Sequence, residues 1–227
     1  MTSAFDAYRL QYDAVVQDSI AFSGLKHDFF LEAKLRLLAE IFAARLGPVR
    51  PALLEVGCGV GLLHPGLLPL TRSLAGTDIS HEALARAETE NPSVAYRPQD
   101  GNHLSFEAAS FDVSLAVCVL HHVPAGERET LVQEMRRVTR PGGLVIVIEH
   151  NPWNPLTRLA VARCPFDRDA ELLQAAEGRR LLRAAGLRQV ESRHFLLFPS
   201  LRRWPRRVES ALSAVPLGAQ YLACGTA

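Results

Sequence analysis

The chain has 227 residues, 48% hydrophobic and 22% charged, and its length and composition are those of a globular protein with a sizeable core. A net charge of +1 argues against bulk attraction to nucleic acid, and no long run of like charge marks a basic or acidic tail. Cys58, Cys118, Cys164 and Cys224 lie far apart with no CxxC pair, which excludes a zinc knuckle and a disulfide framework and suits a reducing, cytoplasmic setting.

In chain order, "MTSAFDAYRLQYD" lacks the basic and then apolar regions of a signal peptide, and no segment reaches the ~18 apolar residues of a membrane span. Residues 1 to 48 are expected to form a helical cap. In "HDFFLEAKLRLLAEIFAARLG" apolar residues recur at three and four spacing, and Gly47-Pro48 stops the helix. Strands and helices then alternate. "ALLEVG", "SLAGTD", "VAYRPQD", "FDVSLAVCVLHH" and "LVIVIEH" read as strands. "GLLHPGLLPLTR" reads as an irregular helix, "SHEALARAETE" as a helix N-capped by Ser80, and "AGERETLVQEMRRVTR" as a helix stopped by Pro141-Gly142-Gly143. Apolar strands alternating with helices indicate a parallel sheet covered on both faces. After Asn151, "NPWNPLTRLAVARCPFD" reads as an irregular covering segment, "DAELLQAAEGRRLLRAAG" as a helix, "LRQVESRHFLLFP" as a strand, "RRWPRRVESALSAVP" as a short helix and "AQYLACGTA" as a last strand. No repeat and no linker appears, so one domain is expected, with residues 49–150 as its core and 151–227 as a cover with the final strands.

Charge is uneven: residues 51–150 hold 7 Arg/Lys against 12 Asp/Glu, and residues 151–227 hold 12 against 6. Arg202, Arg203, Arg206 and Arg207 surround Trp204, a pattern of a solvated helix or of peripheral contact with an anionic membrane.

Gly57, Gly59 and Gly61 follow the first strand. Glycines there allow a tight turn and let a ligand touch bare main chain at the carboxyl end of the sheet. The spacing is G-x-G-x-G, with Leu62 where the dinucleotide fingerprint has its third glycine, and the Gly-Lys-Ser/Thr of a phosphate loop is missing. Asp78 ends the second strand, 21 residues after Gly57, where a carboxylate can accept from both hydroxyls of a ribose. Asp100 ends the third, where it can accept from an adenine amine, and Ile79 can pack on a base.

Together "LLEVGCGVG", "LAGTDIS", "YRPQDGNHLSF", "FDVSLAVCVLHHVP" and "RRVTRPGGLVIVIEH" resemble the class I S-adenosylmethionine-dependent methyltransferases of the small-molecule type, over roughly residues 50 to 150. The resemblance implies a Rossmann-like α/β fold with a seven-stranded, mostly parallel sheet, a reversed last strand and helices on both faces. It implies S-adenosyl-L-methionine as cofactor. Glu55 and the backbone of Gly57, Cys58, Gly59 and Gly61 would hold its methionine end, Asp78 its ribose, and Ile79, Asp100 and Gly101 its adenine, with Cys118 beside it. Asn102 departs from the family pattern, in which an acid often follows the small residue at position 101.

For an acceptor hydroxyl, a base with pKa near neutrality helps, and His121 and His122, just after the fourth strand, are the candidates. A zinc reading of that pair finds no thiol or carboxylate partner at a plausible spacing, so no metal is expected. Glu149, His150 and Asn151 follow the fifth strand on the same side. Tyr8 and Tyr12 share a helix face in the cap, with His27 and Phe30 further on, and all are candidates for the acceptor pocket. The expected activity is methyl transfer to a small molecule in biosynthesis, O-methylation ahead of N- or C-methylation. The rivals are a methyltransferase acting on a macromolecule and a protein that binds the cofactor without transfer.

Overall fold

From Ala52 onward, alternating apolar strands and amphipathic helices build one sheet of seven strands. The computed structural model describes residues 12–200, 209 and 211–227. The strands are β1 (Ala52–Val56), β2 (Ser73–Asp78), β3 (Ala95–Pro98), β4 (Phe111–Val117), β5 (Thr139–His150), β6 (Arg188–Phe195) and β7 (Gln220–Thr226), in the order β3-β2-β1-β4-β5-β7-β6. The first five pair in parallel, and β7 runs antiparallel to both β5 and β6. The reversed strand is therefore β7, and it sits inside the sheet rather than at its edge.

The two-residue period of the strands sorts side chains onto the two faces. Leu54, Val56, Ala116, Val145 and Val147 meet Leu131 and Met135 of α5 (Arg128–Val138) and Leu181 and Leu182 of α7 (Ala175–Ala184). Leu53, Val113, Leu115, Ile146 and Ile148 point the other way, onto Leu38, Ile41 and Phe42 of α2 (His27–Leu46) and Leu67 of α3 (His64–Leu67). Both faces of the central strands are dry, which is why the sequence reads there as unbroken apolar runs. Helix α2 is thus a layer of the fold, packed on one sheet face together with α3, and not only a cap. Outside it, α1 (Tyr12–Ile20) lies against α6 (Pro155–Arg163), and α4 (His81–Glu90) lies beside β2 and β3. The Ser80 hydroxyl accepts from the Ala83 N–H at 3.2 Å, the expected N-cap.

Two local expectations are corrected. Pro141-Gly142-Gly143 does not separate helix from strand: β5 already begins at Thr139, pairs Thr139 with Phe111, and shifts register before Val113 meets Leu144. A strand can carry Pro and Gly across such an irregularity, where ladder hydrogen bonds are lost anyway. The segment after Asn151 is not irregular throughout. The Asn154 side chain accepts from the Thr157 N–H at 3.0 Å, and Pro155 takes the first helical position, where a missing N–H costs nothing, so the prolines start α6. Tyr8 and the Arg202–Arg207 cluster lie outside the described residues, as does the side chain of Tyr12. No helix among the described residues is long and apolar enough to cross a membrane.

Arg128 fastens the connection after β4 to the chain above it. Its buried guanidinium donates to Val123 O and Glu171 O, each at 2.9 Å, and pairs with Glu177 at 3.2 Å. Removing it strands two carbonyls and a carboxylate. Arg128→Ala is expected to lower unfolding free energy by about 2–4 kcal/mol, read as a lower urea midpoint at unchanged slope.

Candidate functional site

The carboxyl ends of β1, β2 and β4 meet where the strand order reverses between β1 and β4, the crevice in which open α/β sheets bind ligands. Gly57, Gly59 and Gly61 take φ of +67°, +54° and +76°, the left-handed region that favours glycine. Packing demands two of them: a Cβ on Gly57 would sit 2.6 Å from Val119 Cγ2, and one on Gly61 2.7 Å from His64 Nδ1. Gly59 is different, because a Cβ there would meet nothing within 4 Å. Its bare side faces open space, and so does that of Gly101. The Cys58 N–H donates to Thr77 O at 3.0 Å and binds the loop to β2.

Asp78 ties the loop to the next strand end. One carboxylate oxygen accepts from the Gly59 N–H at 2.7 Å, the other from the Ser80 N–H at 2.9 Å. Burial pushes this carboxyl's pKa up, against the lowering effect of those two amides. Each oxygen keeps a lone pair for a further donor. Next to it Ile79 is 58% exposed, and a large apolar side chain in that position suits a flat apolar ligand face. Asp100 is exposed and bridges to His103, while the Asn102 amide donates to Glu127 at 2.7 Å. Glu55 lies beneath the loop, buried, with Oε2 2.9 Å from Nε2 of the buried His64, whose other nitrogen is 2.6 Å from the Tyr96 hydroxyl. Bare backbone at Gly59 and Gly101, the free lone pairs of Asp78 and the exposed Ile79 fit S-adenosylmethionine, a nucleoside ligand without phosphate.

At the end of β4, Cys118 adopts φ +57°, costly for a residue with a Cβ, and this turns the chain into the short helical turn Leu120–His122. Burial raises the Cys118 thiol pKa and keeps it protonated. His121 points inward from that turn. Its Nδ1 is 2.5 Å from Oε2 of Glu149, whose Oε1 accepts from the N–H of Val119 at 3.0 Å and of Leu120 at 2.7 Å. On its other side, Nε2 lies 3.5 Å from Oδ1 of Asp167, and His122 Nε2 lies 3.4 Å from the same oxygen. Burial disfavours charge on His121, but Glu149 and Asp167 outweigh it and raise its pKa well above the ordinary value. Burial likewise works to raise Glu149 and Asp167, and the histidines overcome it and hold both low. His150, half-buried with its ring centre 5.2 Å from that of His121, is pushed down to about 4, by loss of solvent first and then by the charge on His121. Its Nδ1 is 3.4 Å from the Gln220 amide.

Among the residues expected from sequence, His121, His122, Glu149, His150 and Cys118 gather at the ends of β4 and β5. Glu149 and Asn151, expected to face the acceptor, stand behind the site. Glu149 is spent on the turn and on His121. Asn151 donates to Pro216 O at 3.0 Å and Gly218 O at 2.7 Å, fixing the approach to β7. His27 and Phe30 lie on the opening turn of α2, where the His27 N–H donates to Gln17 at 2.9 Å and Phe30 packs edge-on against Phe29. One turn further, Lys34 is buried, and its charge acts on Cys118 and His150, so α2 does pass beside the site. Asp167 and His64 were not anticipated. Asp167 arrives on the turn Pro165–Asp167, held in place because the Glu171 N–H donates to His121 O at 2.9 Å.

Residues 54–147 match the protein family described as a methyltransferase domain. The chain is 38% identical over 144 residues to a phosphatidylethanolamine N-methyltransferase of Cereibacter sphaeroides, covering 60% of this chain and 68% of that protein. It is 29% identical over 206 residues to a ubiquinone biosynthesis O-methyltransferase of Paracidovorax citrulli, covering 81% and 86%. A solved S-adenosylmethionine-dependent methyltransferase of Thermotoga maritima, described as a possible histamine N-methyltransferase, superposes with a TM-score of 0.67 over 98% of both chains at 20% identity. Given the sheet order with its inserted antiparallel strand, the bare glycine loop beside Asp78 and these relatives, the chain belongs to the class I S-adenosylmethionine-dependent methyltransferases.

Proposed function

We propose that this methyltransferase acts on a small-molecule acceptor, and on a hydroxyl oxygen ahead of nitrogen or carbon. The observation that carries the reading is the polar cluster of His121, His122 and Asp167 at the ends of β4 and β5, beside the cofactor crevice. A hydroxyl is a poor nucleophile until its proton leaves, whereas an amine acceptor often needs no such help. When bound, S-adenosylmethionine supplies an electrophilic methyl group on a sulfonium. The chain's own residues do the rest. Gly59 and Asp78 anchor the nucleoside end, and Glu55 lies under the loop that receives the methionine end. Asp100, Gly101 and Ile79 border the adenine side. The cluster receives the acceptor hydroxyl and favours loss of its proton. Holding the two reactants in line supplies much of the acceleration, and proton removal adds about 10²–10⁴-fold.

The relatives are named for N-methylation of phosphatidylethanolamine and for O-methylation in ubiquinone biosynthesis, which supports a small-molecule acceptor. The near-neutral net charge argues against bulk electrostatic attraction to a nucleic acid.

Two outcomes check this reading. Asp78→Ala is expected to weaken S-adenosylmethionine binding about 10- to 100-fold in calorimetry, the equivalent of one or two charge-assisted hydrogen bonds; an unchanged affinity removes Asp78 from the cofactor site. Across a panel of phenolic and amine acceptors, S-adenosylhomocysteine release should be fastest with a phenol, and His122→Ala should reduce that turnover about 100-fold or more while sparing cofactor affinity. Fastest release with an amine overturns the hydroxyl preference.

A further inference from the structure

We infer that His121, His122 and Asp167 form a site for a divalent transition metal, with zinc the ion their donors suit best, and that this ion holds the acceptor oxygen. The ion's use rests on the methyl-transfer reading; its binding does not.

Spacing is the first support. Donor atoms of the three side chains lie within 4.8 Å of one another, and both histidines approach one oxygen of Asp167, at 3.5 and 3.4 Å. Those gaps are longer than an N–H···O hydrogen bond, about 2.7–3.2 Å. They match the edge of a ligand tetrahedron: donors bound at about 2.0–2.1 Å from zinc stand about 3.4 Å apart.

The second support is His121 Nε2. Its side chain is 1% exposed, and the nitrogen has no hydrogen-bond partner. Leaving such an atom unsatisfied costs about 1–3 kcal/mol. It is also aimed. Glu149 holds Nδ1 at 2.5 Å and is itself fixed by the amides of Val119 and Leu120, which turns Nε2 toward Asp167, and a bound cation would displace the proton that the two carboxylates otherwise favour there. A carboxylate behind a ligating histidine, orienting it and raising its basicity, is the usual outer support of a protein metal site.

The remaining features fix the kind of site. Two carboxylates, Glu149 and Asp167, surround the histidines and favour a cation among them. Two imidazoles and one carboxylate suit zinc, iron or cobalt over magnesium or calcium, which prefer oxygen. His122 is 25% exposed, so the cluster opens toward solvent. Three protein ligands with an open position make a catalytic rather than a structural site. An acceptor hydroxyl entering that position loses its proton to solvent more readily, because the ion stabilises the oxygen's negative charge. The cluster would then activate its acceptor as a Lewis acid, without either histidine taking the proton.

The test uses the full chain, stripped with a chelator and titrated with Zn²⁺ alone against a chromophoric competitor. One ion per chain with sub-micromolar affinity is expected. His122→Ala and Asp167→Asn should each weaken it at least 10-fold, and Glu149→Gln about 10- to 100-fold. His122 is the principal variant because it is partly exposed, and circular dichroism confirms that each variant is folded. X-ray absorption should show nitrogen and oxygen ligands with imidazole scattering. Sulfur in that shell, no stoichiometric binding by the wild type, or wild-type affinity in folded His122→Ala and Asp167→Asn overturns the site. Zinc binding with turnover insensitive to chelation overturns the ion's role and leaves methyl transfer standing. Absence of methyl transfer to every acceptor tried overturns the activity reading and not the site, since binding is read without acceptor.

Discussion

The carboxylate of Glu149 is the interaction on which the acceptor side of this enzyme depends. It is fully buried at the end of β5, an expensive place for a charge. Three donors from the neighbouring strand's turn make it tolerable: the amides of Val119 and Leu120 and the ring of His121. A single group therefore fixes the path of the backbone after β4, the tilt of His121, and the separation of the two strand ends. Cys118 can be held at its unfavourable φ because the amides that follow it are committed to this carboxylate.

A comparable link organises the cofactor side. Asp78 holds the Gly59 amide, so the glycine loop cannot swing away from β2 without breaking a charge-assisted bond. Below it, His64, Asn91 and Tyr96 fill the space that a larger residue at position 61 would invade. The two anchors stand on either side of the strand-order reversal, so their geometry is inherited from the rigid central strands β1 and β4.

How far the sequence discloses this differs by element. The central strands are legible because burial on both faces forces them to be apolar throughout, and the glycine loop because bare backbone leaves no other choice of residue. Asp78 is legible because its distance from the loop follows from one strand–helix–strand unit. Glu149 misleads, because an acid at a strand end looks the same whether it faces a ligand or a neighbouring turn. Asp167 is invisible for another reason. It lies 45 residues beyond His122, and only the path of the chain through α6 and the turn after it brings the two together. The prolines around Asn154 and the Pro141 segment mislead because each is a breaker in one local setting and harmless in another.

The placement of β7 between β5 and β6 has a consequence for how the protein is assembled. Strand β6 touches the sheet only through β7, which follows it by 24 residues. During synthesis the first five strands and the helices covering them can collapse in order, each beside a neighbour already made. Strand β6 has to wait, with its hydrogen-bonding edge uncovered, until the seven residues of β7 slide in antiparallel beside β5. The acceptor side shares that delay, because Asn151 and Gln220 reach their partners only once β7 is in place. Closure of the sheet and the contacts that Asn151 and Gln220 make behind the acceptor site thus depend on the same strand.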